Sequence, residues 1–60
     1  MGEYQVLWAG TPKSEWWWPE PKRHSTLEEA QKHAERLVRE HRFVTRIVRV
    51  TPTGREVVNG

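Results

Sequence analysis

Sixty residues make a single domain, 1–60, with a thin core and a modest share of buried surface. The chain has no cysteine, which excludes a disulfide scaffold and a thiolate metal site and points to a reducing, cytoplasmic setting. Its net charge of +2, pI of about 9.5 and mean hydropathy of −0.90 describe a polar chain, yet four Trp and regular apolar periodicities argue against disorder.

Tyr4 to Ala9 is β-prone, with Tyr4, Val6 and Trp8 on one face. Gly10 to Ser14 reads as a turn. Glu15-Trp16-Trp17-Trp18 follows as a short aromatic run of high strand propensity. Pro19 and Pro21 lack backbone donors, so this segment is an edge strand or an extended loop, favoured as a hairpin with the first strand.

Leu27, Ala30, Ala34, Leu37, Val38 and His41 recur at spacings of three and four and predict a helix of about fifteen residues. Thr26 with Glu29, or Ser25 with Glu28, matches a capping box, and Thr26 is favoured because Leu27 then lies just inside the helix. Glu28–Lys32 and Glu35–Arg39 are i,i+4 pairs in the favourable order. Phe43 to Thr51 is rich in β-branched residues and predicts a strand. Pro52-Thr53-Gly54 is a turn with Gly where a positive φ is expected, and Arg55 to Val58 returns as the last strand.

These elements combine into an α+β fold: a three- to four-stranded antiparallel sheet with one amphipathic helix on one face, laid over Val6 and Trp8. The strands carry apolar residues on both faces. Leu7 and Ala9 oppose Val6 and Trp8, and Val44, Val48 and Val50 oppose Phe43 and Ile47. One helix shields one face, so the other needs the Trp segment, a second copy or a partner to cover it.

The Trp run is the most unusual feature. As a strand, it sends Trp16 and Trp18 one way and Trp17 the other. The rings either fill out a thin core or form a recognition surface. Arg46 and Arg49 interrupt an apolar strand at an odd spacing, which puts them on opposite faces unless a bulge intervenes. Residues 36–55 hold Arg36, Arg39, Arg42, Arg46, Arg49 and Arg55 against Glu40 alone. That region, assisted by Trp stacking, raises a nucleic-acid reading, weakened by arginines that alternate with glutamates along the helix.

Catalysis finds no footing. The chain has no Asp, the only serines are Ser14 and Ser25, no triad can be drawn, and so small a domain is not expected to hold a typical pocket. His33 and His41 lie eight residues apart on the helix, about 12 Å by rise, too far to share a metal. No cofactor and no small-molecule substrate is expected. Neither a signal peptide nor a membrane span is legible.

Thr26-Leu27-Glu28-Glu29-Ala30, Ala34-Glu35-Arg36-Leu37, Ile47-Val48-Arg49-Val50-Thr51 and Gly54-Arg55-Glu56-Val57-Val58 together resemble small uncharacterised βαββ and ββαββ proteins of GC-rich bacteria and their phages. The resemblance implies the fold and a bacterial or phage origin, and carries no activity. The expected function is a non-enzymatic protein-interaction module of accessory or regulatory kind. It would dock through Trp16, Trp17, Trp18, Leu7, Arg46 and Arg49 onto a protein partner or a second copy, with nucleic acid as the alternative.

Overall fold

Four strands and one helix follow one another as β1 (Glu3–Ala9), β2 (Trp18–His24), α1 (Leu27–His41), β3 (Val44–Thr51) and β4 (Gly54–Asn59), in a computed structural model that describes residues 2–59. All strand pairs are antiparallel, in the order β2-β1-β3-β4, and α1 packs on one face. This is the predicted α+β fold, with four strands. Among the described residues no helix is long and apolar enough to cross a membrane.

The helix obeys its sequence signals. Thr26 is the N-cap, and its Oγ1 accepts the Glu29 N–H at 3.2 Å. Glu28 and Glu29 occupy the first turn and Arg39 and His41 the last, the order the macrodipole favours. Glu28 pairs with Lys32 at 3.6 Å, whereas the expected Glu35–Arg39 pair is not formed. The helix ends on Arg42 in the left-handed region (φ 57°, ψ 27°), whose N–H donates to the Val38 carbonyl at 2.9 Å.

Ala30 and Ala34 allow α1 to sit close to the sheet, where Val6 and Ile47 face each other across β1 and β3. Tyr4, Leu27, Leu37 and Val58 complete this core. Ile47 takes the place expected for Trp8, which is claimed instead by Phe43 and Glu20. Val38 and His41 of the apolar stripe remain exposed, because a narrow four-stranded layer does not reach under the whole helix.

The second strand departs from expectation. It covers Trp18–His24 rather than the aromatic run, and contains both prolines. Trp18 pairs with Trp8 and His24 with Tyr4, so pairing begins where the Trp run ends. Between Leu7↔Pro19 and Gln5↔Arg23, β2 uses four residues where β1 uses two. An even excess leaves side-chain parity intact. Gln5 secures this irregularity by donating its side-chain amide to the Glu20 carbonyl at 2.9 Å. As an edge strand, β2 tolerates its prolines.

Residues 10–17 form the connection. Pro12 sits at the second position of a turn closed by the Ser14 N–H on the Thr11 carbonyl at 3.1 Å. At the other hairpin Gly54 has φ +146°, the positive value expected there. Val58 is the extra residue of a bulge in β4, so β3 stays regular against β1.

On the face away from α1 lie Leu7, Ala9, Val44, Val48 and Val50, as alternation requires. Leu7, Ala9 and Val48 are nevertheless buried. The Arg46 guanidinium, directly across from Leu7, lies 4.4 Å from the centre of the Trp17 ring. The Trp segment thus supplies cover on this face through Trp17.

Candidate functional site

The three indoles part where the connection enters β2: Trp18 opens the strand, and Trp17 lies against Arg46 on the far face. Trp18 is cross-strand to Trp8, on the helix side of the sheet, and their rings stack with centroids 6.2 Å apart. Trp16 meets Trp18 edge-to-face at 5.9 Å. Trp8 stacks on Phe43 at 4.3 Å and Phe43 on His41 at 5.2 Å. Five rings therefore form one row, from the end of α1 across β1 to the start of β2. Its outer members are open to solvent, Trp16 at 64% and Trp18 at 53% exposure.

Ser14 holds the approach to this row. Its Oγ accepts the Trp16 N–H at 3.2 Å and donates to the Trp16 carbonyl at 2.6 Å, while its own carbonyl accepts the Trp17 indole N–H at 3.0 Å. Ser14 thus ties the Trp16 backbone and the Trp17 indole to the turn, and the exposed rings are backed by packed aromatics.

The other residues singled out from the sequence are dispersed. Leu7 is 9% exposed and offers little contact area. Arg46 is half-buried against Trp17 on the far face. Arg49 lies on the helix side, cross-strand to both Tyr4 and Glu56. Its Nη2 donates to Glu56 Oε2 at 3.0 Å, and this hydrogen bond, with the carboxylate charge behind it, raises the guanidinium pKa further. The structure joins Trp16 with Trp18, and separately Leu7, Trp17 and Arg46. It does not bring Arg49 to either group.

A second constellation was not visible in the sequence reading. Trp8 donates its indole N–H to Glu20 Oε2 at 3.1 Å. Glu20 Oε1 lies 3.0 Å from His33 Nε2, and His33 Nδ1 lies 2.8 Å from His24 Nε2. A carboxylate only accepts, so His33 carries its proton on Nε2. In the neutral pair, His33 Nδ1 then accepts from His24 Nε2–H, leaving the His24 Nδ1 lone pair as the end of the chain. Burial, followed by repulsion from His33 and Lys22, holds the His24 pKa below its ordinary value of 6.5.

The signal for this chain was faint. Glu20 and His24 lie four apart on β2 and share its helix-facing side. His33 lies one helical turn from Ala30 and from Arg36, toward the β2 flank. Only the pairing of β2 with β1 brings them together. Both ring nitrogens of His33 are used within the chain, and among the described residues no group of three or more His, Cys, Asp or Glu is arranged to hold a metal ion.

His24 opens into a groove of about 470 Å³ between β2 and the first half of α1, where Lys22, Lys32 and Arg36 outnumber Glu29. It is an open groove, since a single helix on a four-stranded sheet leaves an unfilled flank on each side. The other flank, beside β3 and β4, is a groove of about 740 Å³ lined by Ala34, Val38, Ile47 and Asn59 among others.

No protein-family model, no curated protein and no solved structure matches this chain.

Proposed function

We propose that the chain is a small non-enzymatic protein-interaction module, an accessory or regulatory factor of bacterial or phage type acting in the cytoplasm. It docks through the Trp16–Trp18 end of the aromatic row. The observation that carries this reading is two adjacent indoles, more than half exposed, on a backing of packed rings. An indole can bury about 200 Å², and roughly half of that remains open on each ring, worth about 2–3 kcal/mol per ring on contact at about 25 cal/mol per Å². Pre-set side chains lose little freedom on binding, the usual property of an anchor residue.

The surface is smaller than the sequence suggested. Leu7 is buried, and Trp17 is half-buried against Arg46 on the far face, so neither belongs to this contact area. The lack of cysteine supports the reducing compartment. The resemblance to small ββαββ proteins supports the bacterial or phage setting. The nucleic-acid alternative draws on the basic region 36–55 with Trp stacking, and within it Arg46 and Arg49 occupy opposite faces with an aromatic ring and a carboxylate as their partners.

The test compares the parent chain with Trp16→Ala plus Trp18→Ala by sedimentation, and by crosslinked capture from bacterial lysate. A self-associated or captured species lost in the double variant supports docking through this patch. A monomer that retains no partner, or a complex indifferent to the two truncations, overturns it.

A further inference from the structure

We propose that the groove between β2 and the first half of α1 is a binding site for a phosphate group, free or carried at the end of a small molecule such as a nucleotide. The inference is independent of the docking patch, which lies at the other end of β2.

The charge balance is the first ground. Lys22 comes from β2, and Lys32 and Arg36 from α1, with Glu29 the acid among the lining residues; Arg23, cross-strand to Gln5, turns its guanidinium to Glu3 on the face away from α1. Lys32 is already neutralised in part, 3.6 Å from Glu28. Lys22 and Arg36 have no ion pair among the described residues. They belong to opposite walls of the groove, so an anion between them satisfies both. Like charges gathered without a counter-charge raise the free energy of the empty groove, and an anion relieves that.

The hydrogen-bond chain is the second ground. His24, which lines this groove, ends it with one ring nitrogen, Nδ1, that makes no hydrogen bond among the described residues. Its Nε2 is fixed by His33, which is fixed by Glu20, which is fixed by Trp8. The ring is therefore held in one orientation. Once protonated at Nδ1 it becomes a donor, with no rearrangement of its neighbours. A phosphate oxygen is the matching acceptor. Glu20, the nearest carboxylate along the chain, has both oxygens occupied and is separated from His24 by the His33 ring.

The groups facing His24 are Tyr4 across from it on β1, Lys22 on its own strand, and Glu29, Lys32, His33 and Arg36 on α1. Burial first, then His33 and Lys22, disfavour the imidazolium in the empty groove, with Glu29 opposing them. A bound dianion reverses that balance. The helix N-terminus is not needed, since Thr26 already caps the Glu29 N–H.

The experiment is an NMR titration of the full chain with inorganic phosphate, matched at each point against sodium chloride of equal ionic strength, and repeated with adenosine 5′-monophosphate. Saturable shifts at the His24 ring and the Lys22 and Arg36 side chains are expected, with the His41 ring at the far end of α1 unmoved. Phosphate should also raise the midpoint of the His24 titration. Lys22→Glu plus Arg36→Glu should weaken binding at least about tenfold, and Lys22→Gln plus Arg36→Gln by a smaller factor. Circular dichroism confirms that these surface variants remain folded, and Trp16→Ala plus Trp18→Ala leaves phosphate binding intact. Equal affinity for the two ligands assigns the site to the phosphate group alone, and tighter nucleotide binding adds a base contact to it. Shifts that chloride reproduces, or saturation indifferent to charge reversal, overturn the proposal.

Discussion

Glu20 joins the aromatic row to the histidine pair, and two substitutions there separate its charge from its hydrogen bonding. Glu20→Ala leaves the Trp8 indole N–H and the His33 Nε2–H without an acceptor. The Glu20 and His33 side chains are only 22% and 17% exposed, so water replaces the carboxylate poorly. A hydrogen bond to a charged group is worth about 1.5–3 kcal/mol when buried, and the residual exposure brings the combined loss to about 2–3 kcal/mol. In a domain of this size 1 kcal/mol lowers Tm by about 8 °C, so the midpoint should fall by roughly 15–25 °C.

Glu20→Gln behaves differently. The amide oxygen still accepts from Trp8, and the amide nitrogen donates to His33 Nε2 if His33 and His24 both change tautomer. His33 Nδ1–H then donates to His24 Nε2, and His24 presents Nδ1–H to the groove in place of a lone pair. The stability cost should be about 1 kcal/mol or less. Thermal and urea unfolding by circular dichroism measure the two losses, and ¹⁵N NMR of the imidazoles reports the tautomers. An alanine variant within about 0.5 kcal/mol of the parent would refute the reasoning. So would a glutamine variant of parental stability whose histidines keep their original tautomers.

Arg42→Gly should stabilise the chain by about 0.5 kcal/mol, since relief of roughly 1 kcal/mol at φ 57° exceeds the added freedom of the unfolded chain; melting curves should show about +4 °C, and Arg42→Ala, which keeps the Cβ, no gain. Ala30→Leu places three extra carbons where α1 meets Val6 and Ile47, and should cost about 1–3 kcal/mol by urea unfolding at unchanged m. The lowered pKa of His24 means that the unfolded chain binds its proton more readily, so stability rises with pH up to 6.5 and falls as pH drops through the window below it. Urea midpoints between pH 5.5 and 7.5 should trace that slope and lose it in His24→Ala; an identical slope in the variant rejects His24 as its source.

Local chemistry was legible wherever one stretch of chain holds the whole cause. Thr26 and Glu29 are three apart, and the cap forms because their geometry is set within one helical turn. Arg46 and Arg49 face opposite ways because a regular strand alternates. Gly54 takes a positive φ because its turn demands one. The left-handed Arg42 escaped notice because Arg carries no preference for that region.

What required the assembled sheet was every partnership between distant segments. Residues Trp18–His24, with two prolines and three charged side chains, have little strand character of their own, and became β2 because β1 offered an unpaired edge. That pairing carried Glu20 and His24 to His33, set Trp18 against Trp8, and left a cationic flank beside α1. Side-chain parity and capping are properties of neighbouring residues and can be read along the chain. Register between strands depends on the summed energy of many contacts at once, and that sum exists only in the folded molecule.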